Sequence, residues 1–140
     1  MEETLVIVKP DAVERGLVGE IISRFEAAGF EIARMRFGDF GEGLMQDLYA
    51  EHEAKPHFPR LIAYMTSGPC CYLELRREGA IERARALVGN TDPAEAAAGT
   101  IRGDMGLDLP RNSVHASDCA DAARCEIDLI FDGEVGTPEE

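Results

Sequence analysis

The stretch Leu5-Val6-Ile7-Val8-Lys9-Pro10-Asp11 decides the architecture. Four apolar residues in a row, three of them β-branched, stop abruptly at a charge and a proline. Because polar and apolar residues do not alternate, both faces of this segment must be covered, as in a central strand with a polar cluster at its C-terminal end. Such a strand needs other strands beside it and helices above and below, and the remaining sequence supplies them. Val18, Ile21, Ile22, Phe25 and Ala28 recur at helical spacing, with Gly29 placed to end the helix. Residues 30–37 alternate imperfectly, interrupted by Glu31, Arg34 and Arg36, and read as a strand with a bulge or an exposed edge. A turn over 38–43 leads into a helical pattern over 44–65. Pro56 and Pro59 break it into a hairpin with its elbow at 54–59.

Beyond Ser67-Gly68-Pro69, residues 70–75 form a second strand candidate, and Ile81, Ala84, Leu87 and Val88 mark a helix ended by Gly89. Residues 90–111 have little periodicity, as segments with functional or interfacial work often do. A short strand follows over 113–116, then a helix capped by Ser117 or Asp118 and running to about Ile130. The acidic tail over 132–140 contains Gly and Pro and reads as loose. No repeat or linker interrupts residues 1–140, so the order β-α-β-αα-β-α-loop-β-α predicts a single α+β domain with an antiparallel component and helices on its sheet.

Composition narrows the function. Hydrophobic residues make up 45% of the 140, enough for a core, which argues against disorder. Fourteen basic against 27 acidic residues leave a net charge of −13, the wrong sign for attraction to nucleic acid or anionic lipid. The start Met1-Glu2-Glu3 has no basic n-region, and the nearby apolar run is only 5–8, so neither a signal peptide nor a spanning helix is expected. Cys70 and Cys71 are adjacent, Cys119 and Cys125 are six apart, and no CxxC occurs, which predicts reduced, mostly buried thiols in a cytoplasmic protein. Without a secretion signal, the adhesion-like tripeptide Arg102-Gly103-Asp104 has no such meaning. Only Lys9 and Lys55 are lysines, while twelve residues are arginine.

Among the three histidines, His115 stands apart, in a short strand just before a helix. A lone histidine is more often structural than chemical. Glu126, however, lies in an apolar stripe with Ala122, Ala123, Leu129 and Ile130, and a buried carboxylate needs a partner. A helix folding back along the strand would offer Glu126 to the imidazole, fixing its tautomer; the residues alone leave both readings open. No GxxxxGK[ST] or GxGxxG is present, so bound phosphates would have to be held by side chains. Lys9, Arg85, Thr91 and Arg102 lie at element ends or in the irregular stretch, where side chains can converge, although each alone is more often a solvated surface group.

Five segments, in order, resemble the nucleoside diphosphate kinase family: the opening 8–13 with 15–22, then Tyr64-Met65-Thr66-Ser67-Gly68-Pro69, Gly89-Asn90-Thr91-Asp92-Pro93, Gly99-Thr100-Ile101-Arg102-Gly103-Asp104 and Arg111-Asn112-Ser113-Val114-His115-Ala116-Ser117-Asp118. The resemblance runs from residue 4 to about 131. It implies a ferredoxin-like antiparallel sheet covered by helices, assembled as a homo-oligomer (hexamer, tetramer or dimer). The implied activity is transfer of the terminal phosphoryl group between nucleoside tri- and diphosphates, with Mg2+ arriving on the nucleotide and no dedicated protein metal cage. It further implies His115 as the nucleophile that becomes phosphohistidine, supported by Glu126 and Ser117. Lys9, Tyr49, Arg102 and Asn112 match positions near the transferred group and the sugar, and Arg85 and Thr91 match phosphate contacts. His52 falls where some members place a phosphate-contacting histidine.

His57 stands where the family places a base-stacking phenylalanine, and Leu109 matches the apolar residue on the other side of the base. Met105 and Pro110 replace a common phenylalanine and glycine in the loop that the family uses between subunits. The alternative to an active enzyme is a catalytically weak nucleotide-sensing or scaffold protein on the same fold. The composition generates an expectation of its own. At −13, self-repulsion opposes the compact state, so melting temperature should climb as NaCl is added; melts that are flat or falling with salt contradict this.

Overall fold

In the computed structural model, which describes residues 1–107 and 111–132, the chain runs β1 (Glu2–Val8), α1 (Pro10–Glu14), α2 (Val18–Ala27), β2 (Glu31–Gly38), α3 (Glu42–Leu48), α4 (Phe58–Met65), β3 (Cys70–Arg77), α5 (Ala80–Val88), α6 (Ile101–Met105), β4 (Val114–Ala116) and α7 (Ala120–Ile127). A 3-10 turn over Ala50–His52 bridges α3 to the elbow, and a π turn over Asp128–Asp132 follows α7. The four strands form an antiparallel sheet in the order β2-β3-β1-β4. This is the ferredoxin-like arrangement that the sequence resemblance implied.

β1 is the central strand expected, with Leu5, Ile7, Val6 and Val8 all fully buried. Alternation along it separates two cores. Val6 and Val8 join Phe25, Leu73, Leu75, Val88 and Ile101 on the face covered by α2 and α5, whereas Leu5 and Ile7 join Tyr72, Met45, Ile62 and Ile130 on the other. Ile7 pairs across with Tyr72 on one side and His115 on the other. β2 is both bulged, with its register shift between Ile32 and Arg34, and at the sheet edge. No helix among the described residues is long and apolar enough to cross a membrane.

The structure departs from the sequence reading in several places. The Lys9-Pro10-Asp11 stop opens a short helix, α1, since Pro10 occupies its first turn, where no amide hydrogen is needed. Neither Ser117 nor Asp118 caps α7. Cys119 does, its Sγ accepting from the Ala122 amide at 3.5 Å, because the Ser117 hydroxyl is committed elsewhere. All four cysteines are free, but only Cys70 and Cys71 are buried; Cys119 and Cys125 are exposed on the α7 side. Asp132, assigned to the loose tail, is instead ion-paired with Arg34 at 2.8 Å, and Arg34 also lies 5.0 Å from the Phe131 ring centroid. The remainder of that tail, 133–140, lies outside the described residues, as do Leu109 and Pro110.

The segment 90–111, read as functional or interfacial, has an anchor of its own at residues 100–105. Thr100 caps α6 by accepting from the Gly103 amide at 3.0 Å, and Ile101 and Met105 enter the α2/α5 core. Arg15 donates to the Met105 carbonyl at 2.5 Å, and Asp104 pairs with Arg24 at 2.9 Å. Gly103 is required there, because a Cβ would lie 2.1 Å from the Ala97 carbonyl oxygen. Truncating fully buried Ile101 to Ala should therefore cost about 2–5 kcal/mol in denaturant melts. A loss below about 1 kcal/mol would show that the segment draws its support from outside its own core.

Candidate active site

A cleft of about 640 Å³ opens at the C-terminal end of β1, between the α3/α4 hairpin and a wall made by Gly89, Thr91, Arg102 and Asn112. Of the residues expected to act, Lys9, Tyr49, His52, His57, Arg85, Thr91, Arg102, Asn112, His115 and Glu126 all line it. Ser117, fully buried, touches Glu126 beneath it. Leu109 lies outside the described residues.

His115 is delivered by β4. Val114 and Ala116 point into the α2/α5 core, so period-2 alternation sends His115 to the opposite face, toward α7. There its Nε2 lies 3.1 Å from Glu126 Oε1. The same oxygen accepts from Ser117 Oγ at 2.7 Å, and Ser117 is itself held by the Leu5 amide at 3.2 Å. A carboxylate can only accept, so in the neutral ring Nε2 carries the proton and Nδ1 the lone pair. Tyr49 packs edge-on against the imidazole, centroids 5.8 Å apart. Burial raises its phenol well above the ordinary range, so it is a neutral wall.

The cations arrive from three directions. Lys9, 6% exposed at the end of β1, donates to Asn112 Oδ1 at 2.7 Å, and Asn112 Nδ2 donates to the Thr91 carbonyl at 2.8 Å. Burial, reinforced by the nearby Arg102 charge, lowers the Lys9 pKa to about 8. From α6, Arg102 ties the Gly89 and Val114 carbonyls together at 3.0 and 2.8 Å, and burial also lowers its pKa. Arg85 on α5 is exposed and paired with Asp118 at the rim. In a chain of charge −13, these residues make one locally basic surface facing the imidazole. The Tyr49 hydroxyl, His52 Nδ1 and Arg102 Nε are buried without hydrogen-bond partners, as befits groups that await a ligand or water.

His57 is exposed, and its ring lies 5.6 Å from that of His52. Arg60, Leu61, Leu48 and Asp118 also line the cleft; the first three carry no site reading in the sequence, and Asp118 was read there only as a helix cap. Leu61, four residues beyond His57 on α4, was detectable as its helical neighbour. Arg60 reads in sequence as an ordinary solvated charge. Among the described residues no three His, Cys, Asp or Glu side chains are grouped to hold a metal ion.

The geometry places a carboxylate-bound imidazole in one cleft with side-chain cations, and comparisons with known proteins give the family. The profile described as nucleoside diphosphate kinase matches residues 2–135. The nucleoside diphosphate kinase of Archaeoglobus fulgidus is 51% identical over 136 residues, 96% of this chain and 90% of that protein. The apo crystal structure of the enzyme from Encephalitozoon cuniculi superposes with a TM-score of 0.93 at 33% identity, over 99% of this chain and 95% of that one. A halophilic nucleoside diphosphate kinase from Halobacterium salinarum, in complex with CDP, gives 0.91 at 42% identity, covering 99% and 93%.

The buried Lys9 generates a prediction. Its folded pKa lies below the unfolded value, so between about pH 8 and about 10.5 the unfolded chain binds more protons and stability rises with pH from this group; below about 8 Lys9 is charged in both states and contributes no slope. The stability of the parent minus that of Lys9→Met should therefore increase across this window. A difference that stays flat contradicts the placement of Lys9 in a desolvated pocket.

Proposed function

The chain belongs to the nucleoside diphosphate kinase family, and from that premise we propose that this phosphotransferase works through a phosphohistidine formed on Nδ1 of His115. The observation that carries the reading is the 3.1 Å contact between His115 Nε2 and Glu126, which leaves Nδ1 as the basic nitrogen of a cleft-lining imidazole. In the first half-reaction the Nδ1 lone pair attacks the terminal phosphorus of a nucleoside triphosphate. The P–N bond forms as the P–O bond to the β-phosphate breaks, and the nucleoside diphosphate leaves with the electron pair. In the second, a terminal phosphate oxygen of another nucleoside diphosphate attacks the same phosphorus, the P–N bond breaks, and His115 recovers its lone pair.

Glu126, buttressed by Ser117, offsets the positive charge that the ring acquires when Nδ1 is substituted. Lys9 and Arg102 face the transferred group, Arg85 and Thr91 the remaining phosphates, and Asn112 with Lys9 the sugar; His52 and Tyr49 close the wall beside them. Arg85 must exchange Asp118 for a phosphate, a swap of one anion for another. Mg2+, supplied on the nucleotide, would neutralise phosphate charge, and its oxygen ligands from phosphates and water require no protein cage. At the outer end of the cleft, His57 offers the base a smaller face than a phenyl ring, so the grip rests on phosphates and sugar and tolerates different bases.

The four free thiols support a reducing, cytoplasmic setting. Self-assembly is supported by Met35 and Phe37, 55% and 53% exposed on β2, the edge strand of the sheet among the described residues, which offer an apolar border to a second copy. A nucleotide-sensing protein without turnover is not favoured, since the nucleophile, its carboxylate partner and the cations are retained together. With radiolabelled ATP, the parent should form an acid-labile, alkali-stable phosphoprotein that passes its label to GDP. His115→Ala should lose both phosphoprotein and exchange while still binding nucleotide; turnover at the parental rate in that variant refutes the mechanism.

A further inference from the structure

The described residues hold one non-glycine residue in left-handed backbone geometry, and it lies at the active site. Ser113 has φ of 74° and is fully buried, between Asn112 and the strand that carries His115. The Val114 amide donates to the Asn112 carbonyl at 2.9 Å, closing a three-residue turn around it. Such γ-turns with positive φ are strained, and a non-glycine residue stays in one only where its surroundings over-determine it. The Ser113 carbonyl accepts from the Lys9 amide at 2.9 Å, so the strained turn is bonded to the end of β1. Asn112, immediately before it, receives Lys9 Nζ. The position of the cleft's buried cation and its partner is thus set by this turn.

What holds the turn is Asp11. Its side chain is 4% exposed and lies outside the cleft lining, so it is not placed to touch substrate. Oδ2 accepts from Ser113 Oγ at 3.4 Å and lies 3.8 Å from Arg15 Nη1. Oδ1 accepts from the Tyr64 hydroxyl, which in turn accepts from the Asp11 amide at 3.2 Å. One buried carboxylate therefore ties α1, α4 and the turn together. Its other charged neighbour is Lys9, two residues back. Lys9 and Asp11 are both buried and both bonded to this turn, Lys9 through the Ser113 carbonyl and Asn112 Oδ1, Asp11 through Ser113 Oγ; the carboxylate and the Cys70 side chain on β3 favour the Lys9 charge, and Arg102 on α6 opposes it.

We propose that Asp11 is a positioning residue: through Ser113 it locks the strained turn that sets the Lys9–Asn112 pair, and from behind the cleft it supplies the counter-charge that keeps Lys9 cationic. The first function acts on the geometry of phosphate recognition and rests on the reading of the site given above. The second concerns Lys9 alone and does not depend on that reading. Tyr64 is the brace that fixes the orientation of the carboxylate.

The chain suits a direct test, because it has only two lysines and Lys55 is exposed. Lysine-selective 13C labelling gives one reporter and one internal control. In the parent, the Lys9 side chain should titrate near pH 8. Asp11→Asn keeps the shape and an acceptor for Tyr64 but removes the charge, and should move the Lys9 midpoint down by about one unit while Lys55 stays put. Tyr64→Phe, which removes a hydrogen bond but no charge, should leave the midpoint in place even if the protein melts earlier. Ser113→Ala should lower kcat/KM for nucleotide about 3- to 10-fold without moving the Lys9 midpoint, the loss expected when one positioning hydrogen bond is removed. A parental Lys9 midpoint in Asp11→Asn overturns the counter-charge assignment, and parental kcat/KM in Ser113→Ala overturns the positioning assignment even if Asp11→Asn fails to fold. A parent enzyme in which neither Lys9→Met nor His115→Ala affects turnover would instead refute the reading of the site.

Discussion

The constraint on which everything else hangs is the burial of β1 on both faces. Leu5 to Val8 cannot meet water on either side, so the strand must be flanked by β3 and β4 and covered by helices above and below. Each consequence places part of the site. Antiparallel pairing with β4 sets His115 opposite Ile7, on the face where α7 packs. The end of the same strand carries Lys9 into the cleft, and its Leu5 backbone grips Ser117, which holds Glu126. The proposed nucleophile, the carboxylate bonded to it and the buried lysine are thus referred to one rigid element, which gives the positional precision that the proposed phosphoryl transfer needs.

The electrostatic cost of that arrangement is visible in the side chains. Lys9 and Arg102 are both held against desolvation and against each other, in a pocket that would be more stable with neutral residues. The surrounding chain, with its excess of carboxylates, does not relieve this locally; Asp118 at the rim and Asp11 behind the strand do. On the proposed reading, a polyphosphate entering the cleft brings the negative charge that the pocket lacks. The orphaned Tyr49 hydroxyl, His52 Nδ1 and Arg102 Nε belong to the same pre-organised, unsatisfied state.

Much of this was legible in the sequence, and the exceptions have physical causes. β1 and α2 were readable because burial dictates their patterns, and the bulge in β2 showed itself where Arg34 breaks the alternation. α1 and α6 were not, since five residues begun by a proline or centred on a glycine carry no periodic signal; α6 exists because Thr100 caps it and Ile101 reaches the core. Cys119 took the capping role because Ser117, the better capping residue, is consumed by Glu126. In the site, His115 and Glu126 could be paired from the strand-then-helix order, but the convergence of Lys9, Arg85 and Arg102 from three elements was implied by resemblance and not by spacing. Arg60 carried no signal at all, and Ser113, read as the first residue of a strand, instead occupies a turn with positive φ just before β4.

The tautomer imposed by Glu126 is the hinge between this fold and its chemistry, and the site of phosphorylation on the ring reports it. Correlated 31P and 15N NMR of the phosphoprotein, prepared with ATP and uniformly labelled in its histidines, distinguishes the two ring nitrogens directly. Phosphorus bonded to Nδ1 of His115 is the result required by a carboxylate that holds Nε2–H; phosphorus on Nε2, or on another residue altogether, would contradict it.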